Sequence, residues 1–286
     1  MLVQRARDMI AVGLAIMIVS QAATWAGIEP FASWNTPIAW TGFILFADGV
    51  VYRARGSSWM RSSPRELVCL AIVSVPLWIV FEGFNLLIRN WYYVGLPQNF
   101  WLRQFGFVWA FGTIWPAIFE ASELVAVLRG PKASPPAPTR TAPFGAADWS
   151  SIVAGLIMLL LPFVVSADAA TYLAAPVFLG FVFVLDPVNR RLGEESLSRD
   201  RLINLLGGGL LCGVLWEFWN FWAHAKWIYT VPIVGHIKLF EMPVLGYFGF
   251  PPFAVECFTM YVCVRAALSR MPSTAPIVRP GRTIAL

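Results

Sequence analysis

Long apolar runs alternate along this chain with short polar breaks that carry arginine, and each run is long enough to cross a bilayer. A spanning helix needs about 20 predominantly apolar residues for a hydrocarbon core about 30 Å thick. Eight stretches meet that requirement: 8–28, 36–54, 66–88, 104–127, 149–167, 170–188, 202–223 and 246–267. The pattern predicts an all-α, polytopic membrane protein. The first run follows Arg5 and Arg7 as a signal peptide would, but no small-residue cleavage site precedes Ile28-Glu29-Pro30, so it is expected to be a span. Between the fourth and fifth runs the segment 130–143 is crowded with Pro and small residues, which predicts an extended linker. Pro272, Pro276 and Pro280 predict a disordered tail.

The polar residues inside these runs recur. Glu82-Gly-Phe-Asn85, Trp91-Tyr-Tyr93 and Pro116-Ala-Ile-Phe-Glu120 are matched by Glu217-Phe-Trp-Asn220, Trp227-Ile-Tyr229 and Pro252-Phe-Ala-Val-Glu256. The two glutamates of a copy stand 38 residues apart in the first and 39 in the second. Upstream, Pro37, Gly42, Phe43, Asp48, Val50 and Arg53 face Pro176, Gly180, Phe181, Asp186, Val188 and Arg191. A pattern shared over this length predicts internal duplication. The expected organisation is a first four-helix repeat (1–128), a linker (129–147), a second four-helix repeat (148–270) and a tail (271–286).

Composition agrees with the class: the chain is 58% hydrophobic and 13% charged, with a mean hydropathy of +0.66, against roughly 25% charge in a soluble domain. Charge placement then gives an orientation. With the N-terminus in the cytoplasm, 17 of the 21 basic residues fall on that side and only Arg89, Arg103, Lys226 and Lys238 fall outside. That is the positive-inside rule, and it predicts both termini in the cytoplasm, as in a bacterial inner (plasma) membrane. An even number of spans per repeat relates the halves by an axis along the membrane normal, in parallel topology. The net charge of +5 is then a topology signal and implies no nucleic-acid partner.

Carboxylates inside apolar runs are costly and mark candidate function. Glu82 with Asn85, and Glu217 with Asn220, are spaced three apart and so share a helical face, where the amide could hydrogen-bond the carboxyl. Such a pair suits a general acid in a dry site; it equally suits a polar knot between helices. Glu120 and Glu256 each follow a proline by four residues, and proline-interrupted membrane helices tend to line cavities. Glu123 reads as a cytoplasmic-end carboxylate, Asp48 and Asp186 as salt-bridge or helix-end partners of arginines five residues on, and Asp168 as solvated.

Of the 14 Trp, Trp91, Trp101, Trp149 and Trp227, with Tyr92, fit interfacial belts. Trp78, Trp109, Trp115, Trp216 and Trp219 instead lie in or near the stretches that hold the carboxylates, and clustered aromatic faces attract a cation. The same faces could simply be packing groups. An acid beside an aromatic, water-poor cavity is what alkene protonation and shelter of the resulting carbocation require. His224, His236 and Glu241 could be imagined as metal ligands, but no recurring spacing supports this, and no metal or other cofactor is expected. Cys69, Cys212, Cys257 and Cys263 read as packing residues. The signatures of α/β-hydrolases, P-loop and dinucleotide-binding proteins and zinc proteases are missing.

An acidic residue near a span end, an aromatic W-x-[FY] element about ten residues on, then a proline and a second glutamate in the next span, all duplicated, resembles the membrane-integral carotenoid enzymes: the lycopene cyclases and the carotenoid hydratases. The chain departs from the cyclases in lacking their Pro-x-Glu-Glu signature and in having four spans per repeat rather than three. The resemblance implies acid–base chemistry on an isoprenoid. The leading expectation is an enzyme acting on a long apolar isoprenoid or lipid, with Glu82, Glu217, Glu256 and Glu120 as catalytic groups. Asn85, Asn220, Trp216, Trp219, Trp227 and Tyr229 would bind the substrate, and the expected partners are membrane lipids and that apolar molecule. The alternatives are a proton- or cation-coupled transporter using the same carboxylates and a non-catalytic subunit of a membrane complex.

Overall fold

The structure, a computed structural model, describes residues 2–130, 143–194, 196–233, 235–274 and 277. Each of the eight apolar runs forms a helix. The first half contains α1 (Leu2–Trp25), α2 (Phe31–Arg55), the single turn α3 (Trp59–Ser62), α4 (Pro64–Ile88), the strand β1 (Trp91–Val94) and α5 (Phe100–Arg129). The second contains α6 (Ala146–Val164), the turn α7 (Ala167–Ala170), α8 (Ala174–Arg191), α9 (Arg199–Trp222), β2 (Lys226–Tyr229), β3 (Lys238–Leu239), β4 (Met242–Pro243), a 3-10 helix (Val244–Gly249) and α10 (Phe250–Leu268). Of the expected linker, residues 131–142 lie outside the described residues, as do 275, 276 and 278–286 of the expected tail.

Among the described residues, six helical segments are long and apolar enough to cross a membrane: α1, α4, α5, α6, α9, and α10 with its preceding 3-10 turn. The expectation of eight spans is met at that standard only in part. Helices α2 and α8 differ in composition: α2 carries Asn35, Asp48, Arg53 and Arg55, and the 18 residues of α8 include Asp186, Arg190 and Arg191. Large apolar side chains stand outward along α4 (Val68, Ile72, Ile79) and α6 (Val153, Ile157, Leu160, Phe163), each more than half exposed. A soluble surface seldom presents such stripes, whereas lipid tails cover them.

Corresponding helices have corresponding neighbours. Helix α1 packs on α2 and α6 on α8; α2 meets α5 and α8 meets α10; α4 meets α5 and α9 meets α10; α5 and α9 join the two halves. Close approach in the first of these pairs depends on matched glycines. A Cβ on Gly13 would sit 2.5 Å from the Phe46 backbone nitrogen, and one on Gly155 would sit 2.7 Å from the Gly180 carbonyl oxygen. Small residues of this kind let membrane helices bring their backbones together.

The departure from an all-α chain is two short ribbons, β1 with β2 and β3 with β4. In the first, Trp91 pairs with Tyr229, Tyr92 with Ile228, Tyr93 with Trp227 and Val94 with Lys226, antiparallel. Aromatic and β-branched residues favour this pleated pairing, which satisfies backbone groups that a buried loop would otherwise leave open. The register centres on Tyr92 and Ile228, so a local two-fold carries Trp91 onto Trp227 and Tyr93 onto Tyr229.

Candidate functional site

The ribbon is held down by the two asparagines. Helix α4 ends with Arg89 in the left-handed region (φ 50°), and the chain turns back so that β1 crosses over the helix end. Asn85 then donates from Nδ2 to the Trp91 carbonyl at 2.8 Å and accepts at Oδ1 from the Asn90 and Trp91 N–H groups at 2.9 and 3.3 Å. In the second half Asn220 Nδ2 donates to the Trp227 carbonyl at 2.9 Å, and the Trp227 N–H donates to Asn220 Oδ1 at 3.0 Å. The expected amide-to-carboxyl contact is not formed in either half. Three-residue spacing does place Asn and Glu on one face, but the backbone of the returning strand outcompetes the carboxyl for the amide.

The carboxyls meet the strands through side chains instead. Glu82 accepts at Oε1 from Trp78 Nε1 at 2.8 Å, from the Tyr93 hydroxyl at 2.5 Å and from Trp91 Nε1 at 3.3 Å, and its Oε2 lies 3.4 Å from the same Trp91 nitrogen. Glu217, fully buried, accepts at Oε1 from the Tyr229 hydroxyl at 2.9 Å, and Tyr229 accepts in turn from Trp227 Nε1 at 2.8 Å. Its Oε2 has no hydrogen-bond partner among the described residues. Burial, reinforced by the adjacent carboxyl, pushes both the Tyr93 and the Tyr229 phenol well above the ordinary range. Each tyrosine therefore remains a neutral hydroxyl, able to pass a proton while keeping its own charge at zero.

These tyrosines, with Trp78, Trp91, Trp216 and Trp227, line a cavity of about 530 Å³. One wing runs between α2 and α5, along Trp34, Pro37, Trp40, Phe107, Phe111 and Ile114; the other runs between α8 and the start of α10, along Phe178, Leu179, Phe250, Pro252 and Phe253. Most of these rings pack edge-on or tilted, as in Trp40 on Trp216 at 5.8 Å and Trp78 on Phe253 at 5.8 Å, while Phe107 stacks on Phe111 at 5.5 Å, geometries favoured by ring quadrupoles. Glu82 and Glu217 stand one layer back, reaching the cavity through Tyr93 and Tyr229.

The other sequence candidates fall elsewhere. Trp219 is buried against Trp40 (4.9 Å) behind the lining. Glu256 lies three residues past Phe253, about 4.5 Å further along α10, and Glu120 lies six past Ile114, about 9 Å further along α5, at 1.5 Å per residue. Both are fully buried, and neither carboxyl meets a hydrogen-bond partner among the described residues. Glu120 sits near Asp48 and Glu123 instead. Asp48 accepts from the Ser58 hydroxyl (2.7 Å) and the Met60 N–H (2.8 Å) rather than from an arginine, so it anchors the turn into α3. Glu123 is buried and pairs with Arg55 at 3.1 Å, whereas Asp186 pairs with Arg190, four residues on, not five. Asp168 is exposed.

One further expectation is corrected. Trp91 and Trp227 do not sit in an interfacial belt, because the ribbon folds inward and sets both into the cavity wall; Tyr92, Trp101 and Trp149 do stand exposed. The imagined metal ligands do not converge: Glu241 pairs with Lys226 at 2.6 Å, His224 lies 3.9 Å from Glu29, and His236 is exposed. No group of three potential metal ligands forms among the described residues. Tyr93 and Trp78 were missed as site residues, although Tyr93 is the counterpart of Tyr229 in the duplicated motif and Trp78 stands one turn before Glu82.

No protein-family model, no curated protein and no solved structure matches the chain. Fold and site together define a class: a multi-pass helical protein of membrane type with an aromatic cavity backed by two carboxyl–tyrosine pairs.

Proposed function

We propose that the protein is an integral membrane enzyme that protonates a carbon–carbon double bond of a long apolar, isoprenoid-type substrate. The observation that carries this is the pair of carboxyl–tyrosine contacts, Glu217 with Tyr229 and Glu82 with Tyr93, placed behind the wall of a single aromatic-lined cavity. Glu217 has one oxygen free of protein donors and is the proton source. For turnover the Glu217–Tyr229 hydrogen bond reverses: protonated Glu217 donates to the Tyr229 oxygen, the Tyr229 hydroxyl turns toward the alkene, and as the alkene takes the tyrosine proton Tyr229 takes that of Glu217, leaving a carbocation in the cavity and a carboxylate behind it. Trp216, Trp227, Trp78 and Trp40 present π faces to that cation. Loss of a proton from the adjacent carbon, back through the Tyr93–Glu82 pair, completes an isomerisation or cyclisation with no net consumption of protons.

The wider architecture belongs to this proposal. Two four-helix repeats and eight spans in parallel topology are supported by the matched helix contacts, the matched glycine pairs and the two-fold register of the ribbon, and both termini in the cytoplasm by the 17 of 21 basic residues that fall on that side.

A second reading has its own observation. Asp48, Glu120 and Glu123 gather in the interior away from the cavity with Arg55 as a cationic partner, as a proton-coupled transporter would require. Membranes from cells with and without the chain, grown in ordinary water and then incubated in heavy water with added isoprenoid alkenes, separate the two. The enzyme reading predicts a new isoprenoid product carrying deuterium on carbon; the transporter reading predicts none, and proton uptake by proteoliposomes in its place.

A further inference from the structure

Among the groups that line the cavity are hydrogen-bond donors that have no acceptor among the described residues. Two basic side chains line it, Lys226 and Arg103. The Lys226 charge is matched by Glu241 at 2.6 Å and by the Phe221 carbonyl at 3.2 Å. Arg103 is different: half-buried in the first turns of α5, its guanidinium lies over the Phe100 ring at 5.9 Å and has neither an ion-pair partner nor a hydrogen-bond acceptor among the described residues.

One turn along α5 from Arg103, Gly106 leaves its flank open, and there the Trp34 indole nitrogen would stand 3.2 Å from a Cβ. That Nε1 is buried without an acceptor, although buried indole N–H groups ordinarily find one. Its placement is a consequence of the backbone: Trp34 leaves helical geometry (φ −119°, ψ 29°) three residues before Pro37, whose ring disrupts the turn preceding it. Thus a guanidinium and an indole N–H, one turn of α5 apart, border the same apolar cavity. Donors alone, with one fixed positive charge, call for an anionic oxygen.

We propose that Arg103 and Trp34 form a head-group subsite, and that the ligand of the cavity is an anionic amphiphile: a phosphate or carboxylate at Arg103, with its apolar tail along the aromatic wall. This rests on the reading of the cavity as an apolar-substrate site, and it narrows the substrate from a neutral hydrocarbon to one with a charged end.

The test uses the full chain in phosphatidylcholine nanodiscs, with intrinsic tryptophan quenching read against empty discs. Farnesyl phosphate and farnesol share one tail, as do oleate and oleyl alcohol. The native protein is expected to prefer the anionic member of at least one pair by about tenfold or more, since a hydrogen bond to a charged group contributes about 1.5–3 kcal/mol and 1.4 kcal/mol is tenfold. Arg103→Gln should bring that preference to within about twofold while leaving alcohol affinity intact, and Arg103→Lys should retain part of it; Trp34→Phe should reduce it by a smaller factor. Inorganic phosphate alone should not compete, which distinguishes an amphiphile from a free anion. Competition by phosphatidylglycerol added to the discs, seen in native protein and lost in Arg103→Gln, would identify the bilayer itself as the source. Equal affinity of native protein for acid and alcohol, or an unchanged preference in both Arg103 variants, overturns the head-group proposal alone. Failure of every probe to bind overturns the apolar-cavity reading with it.

Discussion

Removing the Tyr229 hydroxyl should cost more stability than removing its counterpart at Tyr93, even though the two residues occupy the same place in the duplicated motif. The Tyr229 hydroxyl is the donor to Glu217 and the acceptor for Trp227 Nε1. Phenylalanine there strips a fully buried carboxyl of its donor and leaves a buried indole N–H without an acceptor. At about 1–3 kcal/mol for each of the two groups left unsatisfied, the loss is about 2–6 kcal/mol. The Tyr93 hydroxyl has one role, donation to Glu82, which keeps Trp78 Nε1 at 2.8 Å and Trp91 Nε1 at 3.3 Å. Tyr93→Phe should therefore cost about 1 kcal/mol. At roughly 2–4 °C per kcal/mol for a domain of this size, the midpoints of thermal unfolding in one detergent should fall by about 4–24 °C for Tyr229→Phe and by about 2–4 °C for Tyr93→Phe. Equal shifts, or a larger one for Tyr93→Phe, would refute the donor and acceptor accounting and with it the claim that the two pairs are differently satisfied.

Asn220→Ala should release β2 from the end of α9 at a cost of about 2–3 kcal/mol, since it deletes two hydrogen bonds to backbone; Asn220→Asp, which keeps the acceptor but not the donor, should fall between, as read by the same melt. In a spectrophotometric titration at 295 nm, at least two of the seven tyrosines, Tyr93 and Tyr229, should stay un-ionised through the range near pH 10 where free phenols titrate. Because the folded state holds those protons more tightly than the unfolded chain does, their contribution falls away only as pH rises past about 10, so stability should decline there and decline less in the double phenylalanine variant. Gly13→Leu should abolish folding, because its Cβ alone meets the Phe46 backbone nitrogen at 2.5 Å, whereas Gly83→Ala, with nothing within 4 Å, should be neutral or slightly stabilising in an expression and melt comparison. Single cysteines at positions 135 and 233 should be labelled from opposite sides of the membrane; labelling from one side would break the eight-span arrangement.

The helices were legible because each is a long apolar run, and the duplicated motif was legible because its residues are chemically distinctive. What the sequence could not show was which partner each polar group would choose. Spacing set Asn85 on the same face as Glu82, but the partner that prevails is the strand six residues on, and that depends on the reversal at Arg89. Trp91 and Trp227 looked interfacial because they lie in loops; that the loops of two halves 135 residues apart pair with each other is a long-range fact with no local signal. Pro116 and Pro252 suggested that Glu120 and Glu256 line the cavity. Proline marks the stretch correctly, since Pro252 is in the wall, but the glutamate one turn later has passed beyond the floor set by Phe253.

The most direct test of the central claim is solvent-deuterium transfer. Membranes containing the native chain, incubated in heavy water with a panel of isoprenoid alkenes and their phosphates, should yield at least one product with deuterium bound to carbon, detected by mass spectrometry after exchange back into ordinary water. Glu217→Gln and Tyr229→Phe, verified as folded, should lose that labelling by about 10²–10⁴-fold, the range of a general acid. Full labelling by Glu217→Gln, or the absence of carbon-bound deuterium from every substrate with the native chain, would contradict it.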